Sequence, residues 1–191
     1  MELAHNGKNG VIVNSKLLEE YLREKYPNYH YILSTTKCER NIDVINQYCK
    51  EYDMVVSDYR DNRDFDFLSQ IKDKSKIELL INAYCSPDCK MRKEHYEYLS
   101  SDQLNFRRVS PMDKVFSCPT YNRGFYEALE FDTVIKNNEL YSTYANLGFE
   151  NFKIEGRSSS TYDVIESYVY YLVKPEYRDI VRLHLLKRCA N

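Results

Sequence analysis

Short apolar runs alternate with amphipathic segments along this chain, and the alternation constrains the fold more than any other feature. The run VIV at residues 11–13 is followed by SKLLEEYLREKY, in which apolar residues recur at helical spacing after a candidate N-cap, Ser15. Further apolar runs predict strands at residues 29–36, 53–58, 76–82, 114–119, 131–135 and 149–156. Regular alternation of strand and helix predicts an α/β protein with a parallel sheet.

The number of units narrows the architecture. We count about seven strand–helix units at most in 191 residues, whereas a closed eightfold barrel typically needs about 250 residues. The options are a shortened barrel, a barrel that lacks its first unit, or an open doubly wound sheet. Neither GxGxxG nor GxxxxGK[ST] occurs, which disfavours a nucleotide-binding open sheet. We therefore predict a single TIM-like (β/α) barrel domain over residues 1–191, incomplete at its N-terminus.

Charge and hydropathy argue against two classes of partner. The formal net charge of −2 gives no electrostatic argument for binding nucleic acid or an anionic membrane. No apolar run approaches the roughly 20 residues that cross a bilayer. The first ten residues, MELAHNGKNG, lack the apolar stretch of a signal peptide. We expect a cytoplasmic protein with no membrane partner.

Four of the six cysteines fall at the predicted carboxyl ends of strands, where parallel α/β folds gather their chemistry. Cys38 follows YILSTT, and Cys118 ends KVFSC. Cys85 and Cys89 follow IELLIN. Four thiolates can hold an iron–sulfur cluster or a tetrahedral zinc ion, and ligand softness does not choose between the two. Unrelated thiols are the alternative, and Cys49 is predicted to be a small buried helix residue.

A charged helix of about ten residues is predicted to begin near Asp88, just after the Cys-x3-Cys pair. His95 on this helix is a candidate zinc ligand or general base, and an exposed or packed histidine is the alternative. Arg92 lies three residues earlier on the same helical face. The two side chains could meet an anionic group together, or they could both belong to a solvated surface.

Alternation along two strands predicts a polar face. Glu78 and Asn82 lie opposite the apolar positions of KIELLIN, and Lys153 and Glu155 lie opposite those of NFKIEGR. If the apolar faces pack on helices, these polar side chains point into the barrel, where charges need partners. An edge strand with its polar face in water is the alternative. Glu155 is a candidate acid/base or substrate anchor, or it forms a salt bridge with Lys153 or Arg157.

Two segments carry a resemblance to a known family. In GFENFKIEGRSSSTYDVIESYVYYL, a glycine-ended helix is followed by FKIEGR and by a Ser/Tyr-rich helix start. This order resembles the closing strand and helix of the TIM-like barrel in the collagenase-like peptidase family (peptidase family U thirty-two). IELLINAYCSPDCKMRKEHY is similar to a cysteine-bearing segment in some of its relatives. The resemblance spans residues 11–186 and is sharpest at 152–157.

The resemblance implies a barrel enzyme. Members carry a peptidase label, others modify RNA or hydroxylate a quinone precursor, and several bind a 4Fe–4S cluster through four cysteines. It implies that such a cluster is held by Cys38, Cys85, Cys89 and Cys118, with zinc as the alternative. The family's peptidase signature is absent here, so the expected reaction is a hydrolase-like or hydroxylase-like modification of a peptide, RNA or small molecule rather than proteolysis.

Two other functions stay open, namely a catalytically idle truncated barrel and a structural zinc-binding protein. A Ser–His–Asp hydrolase is disfavoured because the chain has no GxSxG elbow. An incomplete barrel would leave an unpaired edge near residues 11–13. A second copy of the chain, forming a homodimer, or a longer natural chain would cover that edge.

Overall fold

The fold is built on a five-stranded parallel sheet. The computed structural model describes residues 4–104, 123–156 and 160–189. Each strand pairs with the next one in chain order. The strands are β1 (Gly10–Val13), β2 (His30–Leu33), β3 (Met54–Val56), β4 (Ile77–Leu80) and β5 (Asn151–Lys153). The predicted α/β class and parallel sheet are confirmed, whereas the strand predicted at residues 114–119 lies outside the described part.

Helices connect the strands and follow the last one. They are α1 (Lys16–Lys25), α2 (Ile42–Glu51), α3 (Phe65–Ser69), α4 (Arg92–Leu104), α5 (Phe125–Ala128), α6 (Asn137–Glu139), α7 (Thr161–Leu172) and α8 (Arg178–Cys189). A π-helix, Leu140–Ala145, continues α6, and short 3₁₀ turns follow β2 and β3 at Thr35–Lys37 and Tyr59–Asp61. Right-handed crossovers between neighbouring parallel strands place their connecting helices on one face of the sheet.

One face of β4 forms the centre of the core. Ile77 and Leu79 are completely buried, and Ile81 just beyond the strand is 2% exposed. They belong to one cluster with Leu22 of α1 and Ile45 of α2. The predicted apolar alternation of this strand is therefore confirmed. Burying each such side chain contributes about 1.5–3 kcal/mol to folding.

The opposite face carries the polar positions. Glu78 is partly buried and accepts a hydrogen bond from Nζ of Lys153 at 2.9 Å, across the β4–β5 pair. Asn82 is 1% exposed, and Leu80 between the two polar positions packs in a smaller cluster with Tyr59. The predicted polar face is present at Glu78, Asn82 and Lys153, and Glu78 and Lys153 pair with each other.

Side chains that can be identified from the sequence fix the ends of the helices. The predicted N-cap Ser15 accepts a hydrogen bond from the backbone N of Leu18, and Asn41 and Ser160 cap α2 and α7 in the same way. Gly148 has a φ of +98°, the left-handed conformation that glycine supplies after a helix. Its predicted role as a helix stop is confirmed.

The expected strand at residues 131–135 is wrong, because these residues form turns. Val134 and Ile135 are completely buried, and the backbone N of Ile135 donates to the carbonyl of Ile81 at 2.9 Å. The run is apolar because it packs beneath the end of β4. A short apolar run does not reveal by periodicity alone whether it pairs as a strand or is simply buried.

The helix expected near Asp88 begins at Arg92 and runs for 13 residues. Before it, the backbone N of Cys89 donates to the carbonyl of Ser86 at 3.1 Å, which closes a turn. The segment between β4 and α4 is thus a compact loop rather than a first helical turn. This correction matters because both cysteines of the Cys-x3-Cys pair lie on the loop.

The asparagine Asn62 joins the sheet to the chain after α5. Its side-chain amide nitrogen donates to the carbonyls of Leu80 and Thr133, at 2.9 and 2.8 Å. The backbone carbonyl of Asn62 accepts a hydrogen bond from Oη of Tyr144 at 2.6 Å. Because Asn62 is completely buried, losing these bonds would leave polar groups without partners in the core.

Strand β1 forms one edge of the described sheet, because it pairs only with β2 there. Ile12 on this strand is 49% exposed. This agrees with the predicted unpaired edge at residues 11–13, and its covering by a second copy stays a prediction. Within the described ranges, none of the helices has the length and apolar character needed to cross a membrane.

Leu79→Ala should cost about 2–5 kcal/mol in the free energy of unfolding, because it leaves a cavity at the centre of the core. Leu17→Ala is the matched control, because Leu17 is 79% exposed on α1. Its effect should stay within about 0.5 kcal/mol. Urea unfolding of the three proteins measures both values. Equal losses for the two variants would contradict the assignment of the core.

Candidate functional site

Three cysteines lie at the carboxyl end of the sheet. Cys38 follows β2 through a single 3₁₀ turn, and Cys85 and Cys89 lie on the loop between β4 and α4. All three have intermediate exposure. The strand-end prediction is confirmed for these three, because the carboxyl ends of parallel strands share one edge of the sheet. Cys118 lies outside the described residues.

The buried guanidinium of Arg92 occupies the centre of this end. Arg92 is 2% exposed, so a solvated helix surface is ruled out for it. Its Nη2 donates to Oγ1 of Thr35 at 3.0 Å, and its Nε lies 3.4 Å from Oδ2 of Asp58. The rings of Tyr59 and Tyr96 lie 4.7 and 5.1 Å from the guanidinium. The side chain therefore ties the start of α4 to the ends of β2 and β3.

Asp58 serves two guanidinium groups at once. Its side chain is completely buried, and its two oxygens accept hydrogen bonds from Nε and Nη2 of Arg60 at 2.9 and 2.8 Å. Burial alone would raise the pKa of the Asp58 carboxyl, but the bonds from Arg60 and the charge of Arg92 hold that pKa below its ordinary range. Asp58 is therefore a fixed negative charge between two cations.

The same segment after β3 also holds the cysteine loop. Nη1 of Arg60 donates to the carbonyl of Cys89 at 2.9 Å. Oη of Tyr59 donates to the carbonyl of Ser86 at 2.7 Å. Two carbonyls of the loop are thus fixed by neighbouring residues of one turn, and the positions of Cys85 and Cys89 depend on it.

The pKa shifts of Tyr96 and Cys38 have neighbouring groups in common. Burial raises the pKa of Tyr96 to about 12, and Arg92 opposes the rise, whereas Cys85, Glu155 and Cys38 add to it. Burial also raises the pKa of the Cys38 thiol, and Arg92 acts against that rise. Cys38, Cys85 and Glu155 are therefore close enough to Tyr96 to affect its pKa.

The backbone at Cys38 is strained. Its φ of 54° lies in the left-handed region, which non-glycine residues rarely adopt. The preceding turn is fixed by Thr35, whose Oγ1 donates to the carbonyl of Ser57 at 2.9 Å and accepts from Arg92. Strained residues of this kind occur disproportionately at functional sites. The strain directs the Cys38 thiol by backbone geometry as well as by packing.

Glu155 lies just beyond β5 at the same end of the sheet. Its backbone N donates to Oδ1 of Asn82 at 2.6 Å, and its carbonyl accepts from Nδ2 of Asn82 at 2.9 Å. One predicted partner of Glu155 was Lys153, but Lys153 forms its salt bridge with Glu78. The other proposed partner, Arg157, lies outside the described residues. Glu155 is thus held through its backbone at the ends of β4 and β5.

His95 is partly buried on α4, and its ring stacks on Tyr96 with 5.5 Å between the centroids. Burial lowers the pKa of His95, and the charge of Arg92 lowers it further. Both effects favour the neutral imidazole near neutral pH. A neutral imidazole can accept a proton, which is the property required of the candidate general base.

A second ion pair lies at this end of the sheet. Arg40 donates both Nε and Nη2 to Oδ1 of Asp61, which is 3% exposed. The other oxygen of Asp61 has no hydrogen-bond partner in the described part of the chain. Burial raises the pKa of Asp61, and Arg40 opposes the rise. Together with Arg60 and Arg92, three cations face the two carboxylates of Asp58 and Asp61.

The described cysteines fit an iron–sulfur cluster in donor type. Thiolates are the ligands of such clusters, and the three described cysteines lie at one end of the sheet. Across residues 4–104, 123–156 and 160–189, no three His, Cys, Asp or Glu side chains come together as metal ligands. Any complete ligand set would therefore need the fourth predicted cysteine, Cys118, and a movement of the loops.

Sequence reasoning found the cysteines, Arg92 and Glu155 at this end, but it missed the residues that organise them. These are Asp58, Tyr59 and Arg60. A signal was present, since the polar run DYRD follows an apolar strand directly. The strand-end rule that selected the cysteines as site candidates could also have selected this run. Cys49 is 5% exposed within α2, as predicted.

Asp58→Asn should cost about 3–5 kcal/mol in unfolding free energy, because it leaves two guanidinium groups without their buried counter-ion. Asp179→Asn is the control. Asp179 also pairs with an arginine, but its side chain is 95% exposed. Its loss should stay below about 1 kcal/mol. Chemical denaturation compares the two, and a small loss for Asp58→Asn would contradict its role.

Stability should fall as the pH falls through the depressed pKa of His95. The unfolded chain takes up a proton near the ordinary histidine pKa of about 6.5, whereas the folded state resists it. The stabilisation is therefore complete above that pH and is lost below it. Unfolding measured from about pH 7.5 to about pH 5.5 should be flatter for His95→Gln. His184→Gln, on the exposed side of α8, is the control and should follow the parent curve.

Comparisons with known proteins add no relative. The chain matches no protein-family model, no curated protein and no solved structure. The geometry at the carboxyl end of the sheet is therefore what supports a function for this chain. Its main components are a buried cation, three thiols, a carboxylate at the end of β5 and an imidazole on α4.

Proposed function

We propose that the chain is a barrel-type protein of the collagenase-like peptidase family with an iron–sulfur site at its strand ends. The proposed ligands are Cys38, Cys85, Cys89 and Cys118. The observation that carries the proposal is that Cys38, Cys85 and Cys89 lie at one end of the sheet, in the loops that follow β2 and β4.

The order of the strands supports the barrel. All five described strands are parallel and lie in chain order, without the reversal of order that marks a doubly wound sheet. One face of β4 packs on helices, and the other carries Glu78, Leu80 and Asn82. In a barrel this second face becomes the interior. Further strands would have to complete the closure.

Arg92 and Arg60 supply the electrostatic support for such a site. Ligating thiols must be deprotonated, and nearby cations stabilise the negative charge that results. Both guanidinium groups are held by Asp58, so they are fixed before any ligand arrives. When bound, an iron–sulfur cluster supplies one-electron chemistry whose potential depends on neighbouring charges and hydrogen bonds.

Two further groups are placed for proton transfer. His95 is held next to Tyr96 with a lowered pKa, so its imidazole can accept a proton. Glu155 lies at the end of β5, and its charge reaches Tyr96. The two side chains approach the same region from different elements. We assign His95 as the candidate general base and Glu155 as a candidate acid or substrate anchor.

Metal analysis after anaerobic purification tests the proposal. We expect about four iron and four sulfide per chain, with visible absorption. Cys85→Ser should lose most of the iron and sulfide. Cys49→Ser is the matched control and should retain both, because Cys49 is buried within α2 and is not a proposed ligand.

The other outcomes decide between the remaining functions. Zinc without iron or sulfide would contradict the cluster and support a structural zinc-binding protein. A chain without metal after anaerobic purification would support a catalytically idle barrel. Iron that survives in Cys85→Ser as well as in Cys49→Ser would show that the proposed ligands are wrong.

A further inference from the structure

A groove with a volume of about 590 Å³ runs along α4, next to the proposed site. Its volume lies within the range of about 300–1,000 Å³ typical of ligand-binding pockets. One wall consists of residues on a single face of the helix, spaced three or four positions apart. They are Lys93, Tyr96, Glu97, Ser100, Ser101 and Leu104.

The opposite wall comes from the ends of β1 and β2 and from α2. It includes Asn14, Thr36 and Tyr48. Lys37 and Glu39 also line the groove, on either side of Cys38 in the chain. These residues place the groove at the carboxyl edge of the sheet.

Tyr96 connects the groove to the proposed site. Its ring lines the groove and also lies 5.1 Å from the guanidinium of Arg92. The ring of His95 stacks on the ring of Tyr96. A molecule bound along α4 would therefore have one end beside the reactive side chains.

A second cavity of about 330 Å³ lies between α1 and α2 and shares Lys37 and Tyr48 with the groove. We refer to these two adjoining cavities together as the trough. The face of α4 alone spans roughly 16 Å at 1.5 Å per residue. This shape suits a linear ligand better than a compact one.

The charges of the trough are mixed. In the groove, Lys37 and Lys93 face Glu39 and Glu97. Within the described residues, neither lysine nor Glu97 has an ion-pair partner. Glu39 accepts hydrogen bonds from two backbone N–H groups of the following turn. Lys93 is exposed and Lys37 is half-buried, so two cations and one anion of the groove can pair with the charges of a ligand.

The second cavity adds charges that are already paired. Arg23 pairs with Glu19 at 2.8 Å, and Lys16 lies 3.9 Å from Glu20. A nucleic-acid strand requires an excess of lysine and arginine along its path, because each phosphate carries a negative charge. The trough has no such excess, since its five acidic residues outnumber its four basic ones.

We propose that the trough binds an extended polypeptide segment that carries both basic and acidic side chains. About five extended residues, at 3.3 Å each, match the face of α4. Hydroxyl and amide groups of Ser100, Thr36 and Asn14 can donate to and accept from a peptide backbone. The two lysines and Glu97 pair with side chains of both signs. This inference goes beyond the proposed function, because binding in the trough requires no metal.

Fluorescence anisotropy with a labelled peptide tests the inference. The probe is a peptide of about ten residues in which Lys and Glu alternate with Ser, long enough for the trough. Lys93→Glu and Glu97→Lys should each weaken its binding about five- to tenfold, because each replaces an attraction by a repulsion. The double variant, which exchanges the two charges, should recover part of the loss. Lys50→Glu, on exposed surface outside both cavities, is the control and should bind as the parent does.

The alternatives give different results. If Lys93→Glu and Lys50→Glu bind alike, or the peptide does not bind at millimolar concentration, the inference is overturned. If labelled oligouridylate binds more tightly than the peptide and loses affinity in Lys93→Glu, the occupant is nucleic acid instead. Circular dichroism of each variant confirms folding. Iron analysis of the same preparations keeps this result separate from the proposed metal site.

Discussion

The loops at the carboxyl end of the sheet depend on one buried carboxylate that is shared between two guanidinium groups. Asp58 is completely removed from solvent, and its charge is balanced by Arg60 and Arg92. Neither arginine could be buried to this extent without it, since an unpaired buried charge costs several kcal/mol. Each paired arginine has further N–H groups that donate to other residues. Arg60 fixes the carbonyl of Cys89, and Arg92 bonds Thr35 at the end of β2.

Parallel strand topology explains why one turn can organise three loops. The carboxyl ends of β2, β3 and β4 are neighbours because each strand pairs with the next. The turn after β3 therefore lies between the loops that carry Cys38 and the Cys-x3-Cys pair. Bonds from this segment reach both sides, because Tyr59 donates to the carbonyl of Ser86 and the carbonyl of Ser57 accepts from Thr35. The same arginine chemistry placed after β1 would reach only one neighbouring loop.

Local patterns predicted what local interactions determine. Ser15 was identifiable as a cap because its partner is three residues away, and β4 because its own apolar alternation fills the core. The strand-end rule also brought Cys38 together with Cys85. The role of Asp58 was not identifiable, because its partner Arg92 lies on another element and their meeting depends on the folded sheet. Residues 131–135 were mistaken for a strand because burial alone made them apolar.

Two faces of helix α4 make different contacts. Its first residue, Arg92, points inward and is held by Asp58 and Thr35, so it fixes the direction of the helix axis. The face beginning with Lys93 lines the trough, one residue further along the chain. Tyr96 is the only residue of α4 that both lines the trough and lies against the Arg92 guanidinium in the described structure. Removing the carboxylate of Asp58 would take away a partner of Arg92, whereas a charge change at Lys93 leaves the Asp58–Arg92 pair intact. Among the described residues of α4, the ring of Tyr96 is therefore the contact between the trough and the surroundings of Arg92.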